Sequence, residues 1–303
     1  MVKVGIINAA NRIAGEIIRI LINHPETELV SIYEPSLTGR AVNSIHHGLI
    51  GSLQLNFTDK LNYEDLDLII ITGTSHQIKN FKLPVADNLK IITLSEDYND
   101  KIDENSIAAL SEIHRKPLVR EGKIAHVISP LAVPVLVALA PLASFLLLNS
   151  DIEVEISLPE DIAERIDTKK EISVISDLLK EKQVSFNRPI GLKIKPTSPL
   201  SRSAQLSISL SSSLPLEEIE KIYEQTYDDH NFSFLTSQDI EPKEVEGTQN
   251  VVFNIRKPDA ETLNINVVTD SRMRGGAGDV VHTLNLLFGL HEKTGLHLKS
   301  SVY

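Results

Sequence analysis

Val2-Lys3-Val4-Gly5-Ile6-Ile7-Asn8-Ala9-Ala10-Asn11-Arg12-Ile13-Ala14 opens the chain, and the way this stretch breaks decides the fold. A run rich in β-branched residues stops at a turn built of Asn and Ala. From Gly15 to Asn23 the apolar residues Ile17, Ile18, Leu21 and Ile22 then recur at helical spacing. Leu29 to Tyr33 reads as a second strand. Leu66 to Ile71 and Lys90 to Leu94 are almost wholly apolar, as strands covered on both faces are. Short strands alternating with helical patterns predict a parallel sheet with crossover helices.

This is the pattern of a Rossmann-type dinucleotide-binding domain, expected over residues 1–128. From about Ser150 the pattern changes to longer alternating strands: Ile152 to Leu158, Ile190 to Lys195, Gln205 to Leu210, Val251 to Arg256 and Leu263 to Val268. Helices are expected at Lys169 to Glu181 and at Leu216 to Tyr227, the latter opening at Pro215 with Glu217 and Glu218 in its first turn. An α+β domain over 129–274 with a mainly antiparallel sheet follows. The last segment, 275–303, leads through a Gly-rich turn into a helix expected to pack back on the first domain. The apolar run Val133 to Leu139, with Leu284, Leu287 and Phe288, is expected to be buried where the domains and the terminal helix meet. Leu131 to Leu148, interrupted by Pro134 and Pro141, reads as a buried helix followed by a second turn.

Composition limits the function classes. Among 303 residues, 30 basic side chains face 41 acidic ones, a formal charge of −11 that repels nucleic-acid phosphates and anionic membranes. No Cys is present, which removes disulfides, thiolate metal sites and thiol catalysis together and agrees with a reducing cytoplasm. The first residues form a buried strand without a basic leader, so no signal peptide is expected.

Several segments, in order and spread along the chain, carry a resemblance. Ile20-Leu21-Ile22-Asn23-His24-Pro25-Glu26, Ile45-His46-His47-Gly48-Leu49, Ile91-Ile92-Thr93-Leu94-Ser95-Glu96-Asp97-Tyr98 and Val245-Glu246-Gly247-Thr248-Gln249 come first. Gly275-Gly276-Ala277-Gly278-Asp279 and Leu284-Asn285-Leu286-Leu287-Phe288-Gly289-Leu290 close the series. Together they resemble N-acetyl-γ-glutamyl-phosphate reductases, within the wider superfamily of aspartate-semialdehyde dehydrogenases. The resemblance implies an α/β fold with a Rossmann-type domain and an α+β substrate and dimerisation domain. It also implies a homodimer or homotetramer, whose partner alternatively is an intact paralogue.

The family's functional positions are altered. Its first turn is a Gly-x-x-Gly-x-x-Gly loop, where this chain has Asn8, Ala10, Asn11, Arg12 and Ile13; Asn is the best non-Gly residue at positive φ, so the turn can survive. Glu34, followed by Pro35, ends the second strand, where a carboxylate accepts from a free ribose diol and repels a 2′-phosphate. A dinucleotide, if one binds, is therefore expected to be NAD rather than NADP. Gly276 and Gly278 match the family's final cofactor-side turn. Pro130 stands where the resemblance places the catalytic Cys, in Ile128-Ser129-Pro130-Leu131-Ala132, so no catalytic residue is assigned. The family's Gly-rich second loop is replaced by Ser157 to Arg165, an acidic stretch that looks like a helix start at Pro159. Its His is replaced by Asp167-Thr168-Lys169-Lys170. Arg202, Glu112 and Arg115 match substrate-side positions.

Other candidates carry plainer readings. His46 and His47 on an extended segment point to opposite faces, so they are expected to be loop residues rather than metal ligands. Ser129 lacks the Gly of a nucleophile elbow and reads as a turn serine. Arg272 and Arg274 flank a helix start that can receive an anion, although two surface arginines in a loop are usually just solvated. Three functions remain open: a retired paralogue that binds a partner or ligand, an NAD-dependent oxidoreductase without a covalent intermediate, and retained semialdehyde dehydrogenase activity.

Overall fold

The computed structural model describes residues 1–82, 88–97 and 105–300; Tyr98 and residues 301–303 of the readings above lie outside them. The chain divides into two compact units, one of Met1–Ile128 with Gly276–His297 and one of Ser129–Gly275 with the residues from Leu298. The first unit begins β1 (Val2–Ile7), α1 (Arg12–Leu21), β2 (Thr27–Tyr33), β3 (Phe57–Thr58) and β4 (Leu68–Gly73). It continues α2 (Ser75–Asn80), β5 (Lys90–Ser95), β6 (Ile107–Ala108), α3 (Ser111–Glu121) and β7 (Ile124–His126). The second unit holds α4 (Ala132–Ser144), β8 (Ile152–Pro159), α5 (Glu160–Ala163), α6 (Thr168–Lys182) and β9 (Ile190–Thr197). Its remaining elements are β10 (Ser203–Ser211), α7 (Leu216–Tyr227), β11 (Ser233–Leu235), β12 (Val251–Arg256) and β13 (Thr262–Asp270). Last comes α8 (Ala277–Leu287), which belongs to the first unit.

The first unit's sheet has seven strands in the order β3-β2-β1-β4-β5-β7-β6, every pair parallel. Strand order reverses at β1, which lies between β2 and β4 and opens the crevice where sheets of this kind take ligands. Every residue of α8 is buried, because the helix packs between α1, α3 and β5. A helix so enclosed must settle its polar groups internally. His24 Nε2 meets Asn285 Oδ1 at 2.9 Å, and Asn285 Nδ2 donates to the carbonyls of Glu292 and Thr294. The Glu292 carboxylate joins His282 at 2.8 Å and Arg115. Leu284 and Leu287 are buried as expected, but Phe288 is not a core residue. It is half-buried past the end of α8, with the Lys90 ammonium 4.7 Å above its ring. Lys90 also donates to the carbonyl of Leu287.

The second unit's sheet runs β11-β12-β13-β10-β8-β9. Its three inner pairings are antiparallel and the two edge pairings are parallel, so the sheet is mixed. Its core is α4, buried from Ala132 to Ala143 and packed on α6, α7 and three strands. The helix runs through Pro141 to Ser144 where a second turn was expected. Proline lacks the N–H that would bond the carbonyl four residues back, so Val137 is left with an unpaired acceptor. The Tyr227 hydroxyl donates to that carbonyl, and the Tyr223 hydroxyl donates to its neighbour at Ala138. Burial pushes the Tyr223 phenol well above its ordinary pKa.

Among the described residues, no helix is long and apolar enough to cross a membrane.

Candidate functional site

Asn8 leaves β1 with φ +55°, the left-handed conformation its residue type tolerates. Its side chain donates to the Thr72 carbonyl at the end of β4, at 2.8 Å. Asn11 is the N-cap of α1: its Oδ1 accepts the Ala14 N–H at 2.8 Å. The Asn11 amide nitrogen donates to Thr72 Oγ1 and to the Asn8 carbonyl, both at 2.9 Å. The added side chain thus folds into the turn and binds it to the adjacent strand. Gly73, at φ +115°, permits this, since a Cβ there would sit 3.1 Å from Asn8 Nδ2. Ala10 and Ile13 are half-buried and Arg12 is exposed.

Glu34 lies at the end of β2, the strand beside β1, half-buried and accepting from Ser36 Oγ at 2.8 Å. Gly276 caps α8 and Gly278 is buried in its first turn. Asn8, Ala10, Asn11, Arg12, Ile13, Glu34, Gly276 and Gly278 therefore all belong to the first unit. The segment carrying His46 and His47 is not extended but coiled into short 3-10 turns, Val42–Ser44 and His47–Leu49. His46 Nε2 bonds the Ala9 carbonyl at 2.7 Å, holding the same turn from the other side. Gly15 makes room for it, since a Cβ would lie 2.5 Å from His46 Nδ1. His47 bonds the Ser44 carbonyl, away from its neighbour.

The turn before α4 belongs to the second unit. Ser129 is fully buried; its hydroxyl donates to Glu171 Oε2 at 2.6 Å and accepts the Ala132 N–H at 2.9 Å. It caps α4 and ties the turn to α6. Pro130 is also buried. Gly275, at φ +69°, lies against this turn backbone to backbone: a Cβ would fall 2.3 Å from the Pro130 nitrogen. Asp167 is the N-cap of α6, accepting from the amides of Lys169 and Lys170. The acidic stretch at Pro159 forms the end of β8 and the short α5, with Pro159 as N-cap.

Arg202 and Arg272 are held by carboxylates that sequence reading did not single out. Asp270 is fully buried at the end of β13. It accepts from Arg202 Nε at 2.8 Å and from the amides of Gly247, Arg272 and Met273. The Arg272 Nη2 donates to both oxygens of Asp161, each at 2.9 Å, and the residue's side chain is 9% exposed. Arg274 is fully buried. The reading of Arg272 and Arg274 as solvated surface residues is thus corrected: Arg272 is held by a carboxylate far away along the chain, and Arg274 is enclosed in the core. A signal for Asp270 was present, a lone charge closing the apolar run Val267-Val268-Thr269. Glu112 and Arg115 are on α3 in the other unit. Glu112 is buried and accepts from Ser111 Oγ, while Arg115 is held by Glu292.

A Rossmann sheet, a mixed-sheet α+β unit and a returning helix define the class of semialdehyde dehydrogenase-like proteins. The chain is similar to aspartate semialdehyde dehydrogenase II from Vibrio cholerae, solved in complex with ASA (TM-score 0.68, 15% identity, covering 95% of this chain and 98% of that one). It is also similar to aspartate semialdehyde dehydrogenase from Candida albicans, solved with NADP (TM-score 0.66, 12% identity, 95% and 99% covered). No protein-family model matches the chain. N-acetyl-gamma-glutamyl-phosphate reductase of Parabacteroides distasonis is 33% identical over 327 residues, covering 100% of both chains. That of Bacteroides fragilis strain YCH46 is 32% identical over the same span. The chain belongs to the N-acetyl-gamma-glutamyl-phosphate reductase family.

Proposed function

We propose that this family member has lost acyl-phosphate reduction through a thioester and acts by binding a ligand or a protein partner. The observation that carries this reading is Pro130 in the nucleophile turn of a chain without cysteine. A thioester needs a thiolate, and proline has neither a nucleophile nor a proton to lose. The one hydroxyl in the turn, on Ser129, is buried and bonded at both ends, so it supports no substitute chemistry. In the positions matched to the family's His, Asp167 serves as a helix cap.

A second reading rests on the other unit. The β1–α1 turn keeps the left-handed residue and tight shape that a dinucleotide needs, and Asn11 fills it from within. The residues there fit such a cofactor: the turn Asn8 to Ala14 would lie at the diphosphate and Glu34 at the ribose diol, which favours NAD over NADP. NAD, when bound, supplies hydride exchange. An oxidoreductase working directly on a carbonyl is the alternative function of this site. Both readings place the protein in the cytoplasm as a homodimer, a homotetramer or the companion of an intact paralogue.

Phosphate-dependent oxidation of an N-acylated glutamate semialdehyde, followed at the nicotinamide absorbance with NAD and with NADP, tests the first reading. Wild type and Pro130→Cys are both expected to stay at background. Phosphate-dependent turnover by wild type overturns it. Thermal shifts with the oxidised and reduced forms of both dinucleotides separate the two readings, because a ligand of the folded state raises the midpoint according to its affinity.

A further inference from the structure

One margin of the second unit's sheet is β9, the last strand in its order, and among the described residues no strand lies beyond it. It runs from Ile190 to Thr197 and keeps an unbroken register with β8 along its whole length. The Ile152 N–H donates to the Pro189 carbonyl at 3.0 Å, which fixes the phase of this parallel ladder. Bonding residues alternate along a strand, so the backbones of Gly191, Lys193 and Lys195 serve β8. Those of Leu192 and Ile194 turn their N–H and C=O groups outward. A straight edge of this kind is a template for another strand, and proteins ordinarily blunt it with bulges, prolines or inward-pointing charges. Here no bulge interrupts the pairing and proline enters the strand only at Pro196. The inward-facing residues are Leu192 and Ile194, level with the core residues Val154 and Ile156. Both are only half-buried, an apolar ledge that an added strand would complete.

The outer face says what kind of strand fits. In a chain with an excess of acids, β9 carries none; Lys193 and Lys195 stand on its outer face, 69% and 49% exposed. Glu155 of β8 pairs with both, so one carboxylate is shared by two ammonium groups and a positive charge is left over. Toward the start of the strand the sign changes: the Glu153 carboxylate lies over Gly191, where a Cβ would collide with it. The longest antiparallel overlap of two copies of β9 is centred on Lys193 and sets it against its own counterpart, a destabilising pair. An acidic residue opposite each lysine does the reverse. We propose that the β9 edge takes up an extended peptide in antiparallel pairing, with apolar residues opposite Leu192 and Ile194 and acidic ones opposite Lys193 and Lys195. This names a surface and a partner chemistry for the partner-binding reading above, and rests on that reading.

Fluorescence polarisation of a labelled Gly-Ser-Glu-Val-Glu-Val-Lys-Ser peptide, titrated with the full chain, tests this. In antiparallel pairing its glutamates meet Lys195 and Lys193, its valines meet Ile194 and Leu192, and its lysine reaches Glu153 over Gly191. Saturable binding is expected. Methylating the two valine nitrogens removes the donors that face the edge and should weaken binding at least about tenfold. Methylating the two glutamate nitrogens, which point away from β9, should change it by less than about threefold. Exchanging both glutamates for lysine should also cost about tenfold or more, and Lys193→Gln in the protein about threefold, as befits an exposed charge. No saturable binding by wild type, equal affinity for the valine-methylated peptide, or equal affinity for the lysine peptide overturns the proposal. A wild-type dimer in sedimentation that Leu192→Pro dissociates assigns the edge to a second copy and overturns it as well. Absent binding without turnover sinks the edge alone, whereas binding together with phosphate-dependent turnover sinks the reading and leaves the edge.

Discussion

The turns before α1 and before α4 both feed a helix N-terminus, yet they use their side chains in opposite ways. At Asn8 to Ala14 the side chains hold the backbone path open. Asn8 accepts the left-handed conformation, Asn11 caps the helix, and the turn stays at the crevice beside β4. At Ser129 to Ala132 the turn is closed. Ser129, Leu131 and Ala132 are fully buried, and the only hydroxyl is spent on Glu171 and a backbone amide. A turn stays open at a crevice when its side chains satisfy each other. A turn whose hydroxyl is spent on its neighbours offers no free polar group.

The sharpest way to break this contrast is Gly275→Ala. A methyl group there meets the backbone of Pro130 and demands a left-handed alanine, so a loss of about 3 kcal/mol in stability is expected from overpacking and strain together. Denaturant midpoints measure it. A loss below about 1 kcal/mol would mean that the closed turn has slack. For the first turn, Asn8→Ala should cost about 1–2 kcal/mol and Asn8→Gly distinctly less, because only alanine resists positive φ. Equal costs would put the importance of Asn8 in its bond to Thr72 rather than in its backbone.

The smallest effect is expected at a reference site outside both turns. The amides of Glu261 and Thr262 donate to the Asp259 carboxylate at 2.9 and 2.7 Å and hold its pKa below the ordinary value. A carboxyl group depressed by folding stabilises above its unfolded pKa, about 3.9, and loses that contribution as pH falls through the folded value. Urea unfolding at stepped pH below about 4 should therefore show a slightly shallower decline in Asp259→Asn than in wild type. An identical decline would indicate that this exposed loop is not held.

Much of the fold was legible because periodicity reports burial. Val2–Ile7, Leu216–Tyr227 and Val251–Arg256 form at the positions their patterns predict, and Val133 to Leu139 is fully buried. The two- and three-residue strands β3, β6 and β11 were not, since so short a run has no period. The second sheet is mainly antiparallel as expected, but its two parallel edge pairings were not legible, for a related reason: alternation reveals which face is buried, not the direction of the neighbour. Phe288 was overestimated because an aromatic residue at a helix end need cover only one face. In the candidate sites, Asn8 and Asn11 could be read from local backbone chemistry. Asp161 and Glu171 could not, since each gains its meaning from a partner elsewhere in the chain.

The pairing of Pro141 with Tyr227 bears on how the second unit comes to be folded. A helix ordinarily completes its own ladder, but α4 carries a rung that only a side chain from α7 can fill. Until α7 docks, the Val137 carbonyl at the centre of α4 has only water to bond. The helix at the core is thus not an autonomous nucleus, and α4 and α7 form one cooperative block that opens and closes together. Because the segments lie far apart in sequence, closing that block must wait for a large loop to be drawn in, and so the middle of α4 is consolidated late.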